Sequence, residues 1–160
     1  MFVALAACSL ALAAFGCGSQ KHHTAAKHKP KHTVLVHASL AYGAFHRFVL
    51  VPARAGHLAD PVAQAVSQSA EAARFTAKEL KVAARHVRHS KQLNALFAPL
   101  EVTADKIKAL AAALFRHASL SQIEEINGIL NRIAAMAKAD GHRIVDASAA
   151  RIAAAGGPRA

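Results

Sequence analysis

Apolar residues recur at helical spacing through most of the chain beyond about residue 34. The clearest pattern begins at Asp60-Pro61, where aspartate provides an N-cap and proline a first helical residue with a preset φ. It continues to about His89 with apolar residues four and three positions apart, which places them on one face of a helix. These residues are Val66, Ala70, Ala73, Ala77, Leu80, Ala84 and Val87. The pattern predicts a long helix whose alanine-rich apolar stripe allows close packing.

Two further amphipathic patterns follow this helix. One runs from Pro99 to about His117, with Leu100, Ala104, Ile107, Ala111 and Leu114 on one face. The other begins at Ser121-Gln122-Ile123-Glu124, which matches a capping box, and Gly141 is expected to kink or end it. Its apolar face consists of Ile123, Ile126, Leu130, Ile133 and Ala137.

The segment from Val34 to Val51 is nearly all apolar, and Pro52 is expected to end it. Its length suits a buried helix. A second membrane crossing is the alternative, but His46 and Arg47 would be unfavourable inside a bilayer. Apolar stripes on successive helices predict an all-α fold, an antiparallel bundle of four helices over residues 34–155, followed by a disordered tail at 156–160.

The start of the chain has a different character. Residues 1–16 form an uncharged apolar leader, and Cys17 opens the polar run Gly18-Ser19-Gln20-Lys21. The chain here resembles a bacterial lipoprotein precursor, because Ala14-Phe15-Gly16-Cys17 is similar to a lipobox and the leader to a signal peptide. The resemblance implies cleavage before Cys17, a diacylglycerol on its sulfur, and an extracytoplasmic protein anchored to the membrane by lipid.

An uncleaved membrane anchor is the alternative for the leader. Lysines follow it closely, and the positive-inside rule would then keep them, and the rest of the chain, in the cytoplasm. In either case residues 17–33 are rich in lysine and histidine, lack apolar periodicity and contain Pro30. This composition predicts a disordered basic tether.

The chain is strongly basic, with a net charge of +11. Part of this charge is periodic: five cations on the Asp60–His89 helix each follow a residue of the apolar stripe by one position, so they flank that stripe. We call them the basic stripe: Arg74, Lys78, Lys81, Arg85 and Arg88. Glu71 and Glu79 are the nearby acids of the same helix. The basic stripe is either a solvated flank or a docking face for anionic lipid, wall polymer or a protein partner.

Eleven histidines raise the question of metal binding. His28 and His32 lie four residues apart, and His86 and His89 lie three apart on one predicted helix. A zinc site normally adds further His, Cys or carboxylate ligands. The pairs are therefore weak metal candidates, no cofactor is predicted, and metal buffering is an alternative function.

Catalytic signatures are not evident in the sequence. It contains no nucleophile elbow, phosphate-binding loop, dinucleotide fingerprint or His-Glu-x-x-His motif. Nucleic-acid binding has charge in its favour but no recognisable reading element, and becomes relevant if the protein is cytosolic. The sequence thus predicts a non-enzymatic, lipid-anchored basic helical protein of the cell envelope with a structural or binding role.

Overall fold

A computed structural model describes residues 30–159, so the leader, Cys17 and most of the tether lie outside the described residues. All regular structure in the described range is helical, and the predicted all-α bundle is confirmed. Four long helical stretches are present, as predicted, together with one short helix near the carboxyl end. The helices are α1 (Pro30–Phe45), α2 (Val51–Arg54), α3 (Gln64–Val87), α4 (Phe97–Ala113), α5 (Leu120–Ala139) and α6 (Ala149–Ala154).

The first long stretch joins α1 to α2 through one π-helical turn, His46–Leu50. The prediction that Pro52 ends this helix is wrong, because helical backbone continues to Arg54. Proline has no N–H to donate to the carbonyl of Phe48, four residues earlier. The Ser69 hydroxyl of α3 donates to that carbonyl instead, at 2.5 Å. A side chain of another helix therefore satisfies the group that the proline leaves open.

Helix α3 occupies the centre of the bundle and packs against both α1 and α4. Every residue of its predicted apolar stripe is buried, which confirms that stripe. A second side of α3 is buried as well, and it carries the polar residues Ser69, Thr76 and Glu79. Two-sided burial explains the alanine content, since small side chains let two neighbouring helices approach the same helix closely.

The apolar faces predicted for α4 and α5 are also buried, but the helix starts differ from prediction. The Asp60 side chain accepts the Val62 N–H at 3.0 Å and forms a turn, so α3 begins only at Gln64. The capping box of α5 is formed by Ser119 and Gln122, two residues before the predicted one. The predicted box does not form because Ser121 lies inside the helix, and its carboxylate, Glu124, binds Arg54.

A segment after α5 lies across α1, and we call residues 142–148 the strap. Gly141, with φ of +76°, ends α5 as predicted and turns the chain back. The Val145 N–H donates to the Ser39 hydroxyl at 3.1 Å, and Arg47 Nε donates to the Ala147 carbonyl at 2.9 Å. Gly43 allows this approach, because a Cβ there would lie 2.5 Å from the Ala147 carbonyl oxygen.

Both ends of the described region are more ordered than predicted. Helix α1 begins at Pro30, so the tether boundary at residue 33 is placed too late; proline is favoured at the first helical position. The predicted disordered tail is wrong for residues 156–159. Pro158 is buried, and the Gln68 side-chain amide donates to the Arg159 carbonyl at 2.6 Å. Ala160 lies outside the described residues.

One helical stretch in residues 30–159, Lys31–Arg54, is long and apolar enough to cross a membrane by length and composition alone. A core helix and a signal sequence pass the same test. In the folded domain 61% of its most apolar window is buried, and α1 packs along α3. His46 and Arg47 both contact the Asp146 carboxylate of the strap, at 2.8 and 3.2 Å. The structure thus uses this stretch as a core helix, in agreement with the preferred prediction.

Candidate functional site

The basic stripe lies on the solvent-exposed side of α3, where all five of its cations are exposed. Four of them, all except Arg88, follow one edge of a groove of about 600 Å³ between α3 and α4. Ala77 lines the groove between them, and its small side chain leaves the space open. The opposite edge comes from α4, which contributes Glu101, Asp105 and Lys108. The stripe is therefore one wall of a concave surface.

The two carboxylates of α4 pair with two members of the basic stripe. Asp105 binds Lys81 at 2.9 Å, and Glu101 lies 3.6 Å from Arg88. The Arg88 guanidinium also lies 4.3 Å from the centre of the Phe97 ring, within the range of a cation–π contact. Arg88 is thus held by two neighbours. It does not line the groove with the other four.

The remaining cations of the groove have no ion-pair partner within residues 30–159: Arg74, Lys78, Arg85 and Lys108. Five cations and two carboxylates line the groove, so its net charge is positive by three. This surplus sits in a depression whose low-dielectric walls concentrate the field, which favours the approach of an anion. The groove has the charge and shape of an anion-binding surface.

Neither acid of α3 neutralises the basic stripe. Glu71 is exposed beside the segment at Gly156 to Arg159, away from the stripe. Glu79 is buried and binds Nδ1 of His37 on α1 at 2.5 Å. The acids that do neutralise it, Glu101 and Asp105, are on α4. Their spacing with Lys108, four and three residues, matches that of the basic stripe and is the sequence signal that could have identified the second wall.

Among the described residues, His32, His86 and His89 belong to no group of three or more possible metal ligands. His86 stacks on His37 of α1, with ring centres 6.1 Å apart, and His89 is exposed. His32 lies on α1, and His28 lies outside the described residues. Residues 30–159 contain no group of three or more His, Cys, Asp or Glu side chains placed to hold a metal ion.

A second set of charges links α5 to the rest of the bundle. Glu124 receives two hydrogen bonds from the Arg54 guanidinium, at 2.7 and 3.0 Å, and these lower the pKa of the carboxyl group. The neighbouring Glu125 accepts a hydrogen bond from Lys106 of α4 at 2.7 Å, which lowers its pKa as well. Adjacent helical residues point about 100° apart, so the two carboxylates reach different helices. These pairs are structural ties and do not touch the groove.

Comparison of the chain with models of protein families, with curated proteins and with solved structures finds no match. The functional argument therefore starts from the groove between α3 and α4.

Proposed function

We propose that the protein is a non-enzymatic anion-binding protein of the bacterial cell envelope, anchored to the membrane by lipid at Cys17. The binding part of this proposal depends on one observation: four cations of the groove have no ion-pair partner in the described structure. An exposed charge that contributes no ion pair adds little to folding. A row of them around a depression is available to a ligand.

The test of the groove is a comparison of two variants with equal net charge. Lys78→Glu with Arg85→Glu removes unpaired groove cations without breaking an ion pair. Lys138→Glu with Arg143→Glu makes the same charge change on the exposed surface near the end of α5. The measurement is the salt concentration needed to elute the full chain from a sulfonated matrix. We expect the groove variant to elute at clearly lower salt than both wild type and the control.

Equal elution of the two variants would show that only net charge matters and would refute the groove as a binding surface. Thermal melting of each variant accompanies the assay. Exposed unpaired cations contribute roughly 0–1 kcal/mol to stability, so loss of binding without loss of fold is the expected combination.

The lipid anchor is supported by the apolar leader and the residues Ala14 to Cys17. Metabolic labelling of the full chain with a fatty-acid analogue tests it. The control is Cys8, the second cysteine of the chain, which lies within the apolar leader. We expect the label to be present in wild type and in Cys8→Ser and absent from Cys17→Ser. Label that persists in Cys17→Ser, or absence of label from wild type, would contradict the anchor while leaving the groove hypothesis intact.

A further inference from the structure

The chemical class of the ligand follows from how the free cations are arranged. Resting on the proposed function, we infer that the groove between α3 and α4 binds a linear chain of phosphate groups, and not the surface of a bilayer. The inference depends on the spacing of the free charges, on the concave shape of the site and on the carboxylates of its second wall.

The free cations fall into two groups. The contacts of Lys81 with Asp105 and of Arg88 with Glu101 show that α3 and α4 are antiparallel. Lys108, one turn beyond Asp105, therefore lies toward the Lys78 end of the groove, and Arg85 lies on the other side of the Lys81 pair.

The free cations of α3 form a row that is longer than a small anion. Arg74 and Arg85, at its ends, are separated by eleven residues, which is about 16 Å along the helix axis at a rise of about 1.5 Å per residue. A single phosphate ion contacts only part of this row. A linear polyanion can follow all of it, and each additional contact releases counterions and raises affinity.

The surroundings of the groove disfavour a membrane. A helix that lies on a bilayer needs exposed apolar residues beside its cations, to insert among the acyl chains. The lining of this groove includes no large exposed apolar side chain; its apolar member is Ala77. A flat anionic leaflet would also meet the Glu101 and Asp105 carboxylates of the second wall, whereas a narrow chain can lie along the cations of the α3 wall.

The mixture of cations suits phosphate. Arg74 and Arg85 carry planar guanidinium groups that bind phosphate oxygens in pairs, and Lys78 and Lys108 carry compact ammonium groups that bind it as point charges. Binding would compete with Asp105 for Lys81. Asp105→Asn removes that competitor and one negative charge from the groove, and should raise affinity.

The test uses the full chain and long-chain inorganic polyphosphate, with affinity measured by titration at several salt concentrations. The variants are Lys78→Gln with Arg85→Gln, the matched control Lys138→Gln with Arg143→Gln, and Asp105→Asn. We expect affinity to fall about tenfold or more in the groove variant and to stay near wild type in the control. The slope of log K against log salt should become shallower by about 1.4, since each phosphate contact contributes about 0.7 on a single-stranded polyanion.

Further probes separate the alternatives. Tripolyphosphate should bind at least about tenfold more weakly than the long chain, because it contacts fewer of the groove cations at one time. Equal affinity for the two would overturn the linear-chain inference, as would equally tight binding of polyglutamate, whose charges are carboxylates. Binding of phosphatidylglycerol vesicles that depends on the groove, without polyphosphate binding, would overturn the inference and leave the proposed function standing. Absence of groove-dependent binding to every probe would remove both.

Discussion

Helix α3 carries polar residues on two sides, one buried and one exposed to solvent. Toward α1, the buried residues Ser69, Thr76 and Glu79 each have a partner: the Phe48 carbonyl, the backbone carbonyls of Ala72 and Ala41, and His37. Toward the groove, the exposed cations outnumber their partners. Burial explains the contrast, because a buried polar group without a hydrogen bond costs free energy and an exposed one is solvated by water. The three buried polar residues of α3 are thus paired, and its unpaired cations are exposed to solvent.

The largest loss of stability is expected from substitutions in the apolar core, on which both sides of α3 depend. Leu80 on α3 and Ile133 on α5 are almost completely buried. Replacing either with Ala removes buried apolar atoms and leaves a cavity, so we expect the free energy of unfolding to fall by roughly 2–5 kcal/mol. Denaturant unfolding checks this. Midpoints like that of wild type for both variants would mean that these faces are not the core.

An intermediate effect is expected at the buried polar side of α3. Ser69→Ala removes the hydroxyl that donates to the Phe48 carbonyl, to which Pro52 cannot donate. An unsatisfied buried carbonyl costs roughly 1–3 kcal/mol. Ser67→Ala is the matched control, since Ser67 lies on the same helix and is exposed. If the two alanine variants have the same free energy of unfolding, the buried hydroxyl contributes no more than the exposed one and the comparison is wrong.

The smallest loss of stability is expected at an exposed ion pair, that of Glu124 with Arg54. The folded pKa of Glu124 is lowered by Arg54, so this pair stabilises the protein above the unfolded pKa of about 4.3 and loses that contribution as pH falls through the folded value. Glu124→Gln should therefore be slightly less stable than wild type at about pH 7 and equal to it at an acid pH below the folded pKa of Glu124. Unfolding curves at both pH values measure this. A difference that persists at acid pH would point to a cause other than ionisation.

Periodicity was sufficient to locate the apolar faces of α3, α4 and α5, because burial of one helix face repeats at a fixed interval. It could not show that α3 is buried on two sides, since Ser69, Thr76 and Glu79 look like solvent-facing residues until another helix supplies their partners. The basic stripe was visible for the same reason as the apolar faces. The spacing of its second wall was visible too, but the pairing of Asp105 with Lys81 depends on the register between two helices, which no local pattern encodes.

The strap has a consequence for the order in which the protein is completed. It covers α1 through contacts between residues about 100 positions apart, such as Arg47 with Ala147. Translation proceeds at about 5–20 residues per second, so α1 emerges roughly 5–20 s before the segment that covers it. During that time the residues of the strap that pack on α1 have not yet been synthesised. A nascent chain of this protein consequently exposes the apolar surface of α1 early in synthesis. Helix α1 reaches its final burial only when the strap has been made.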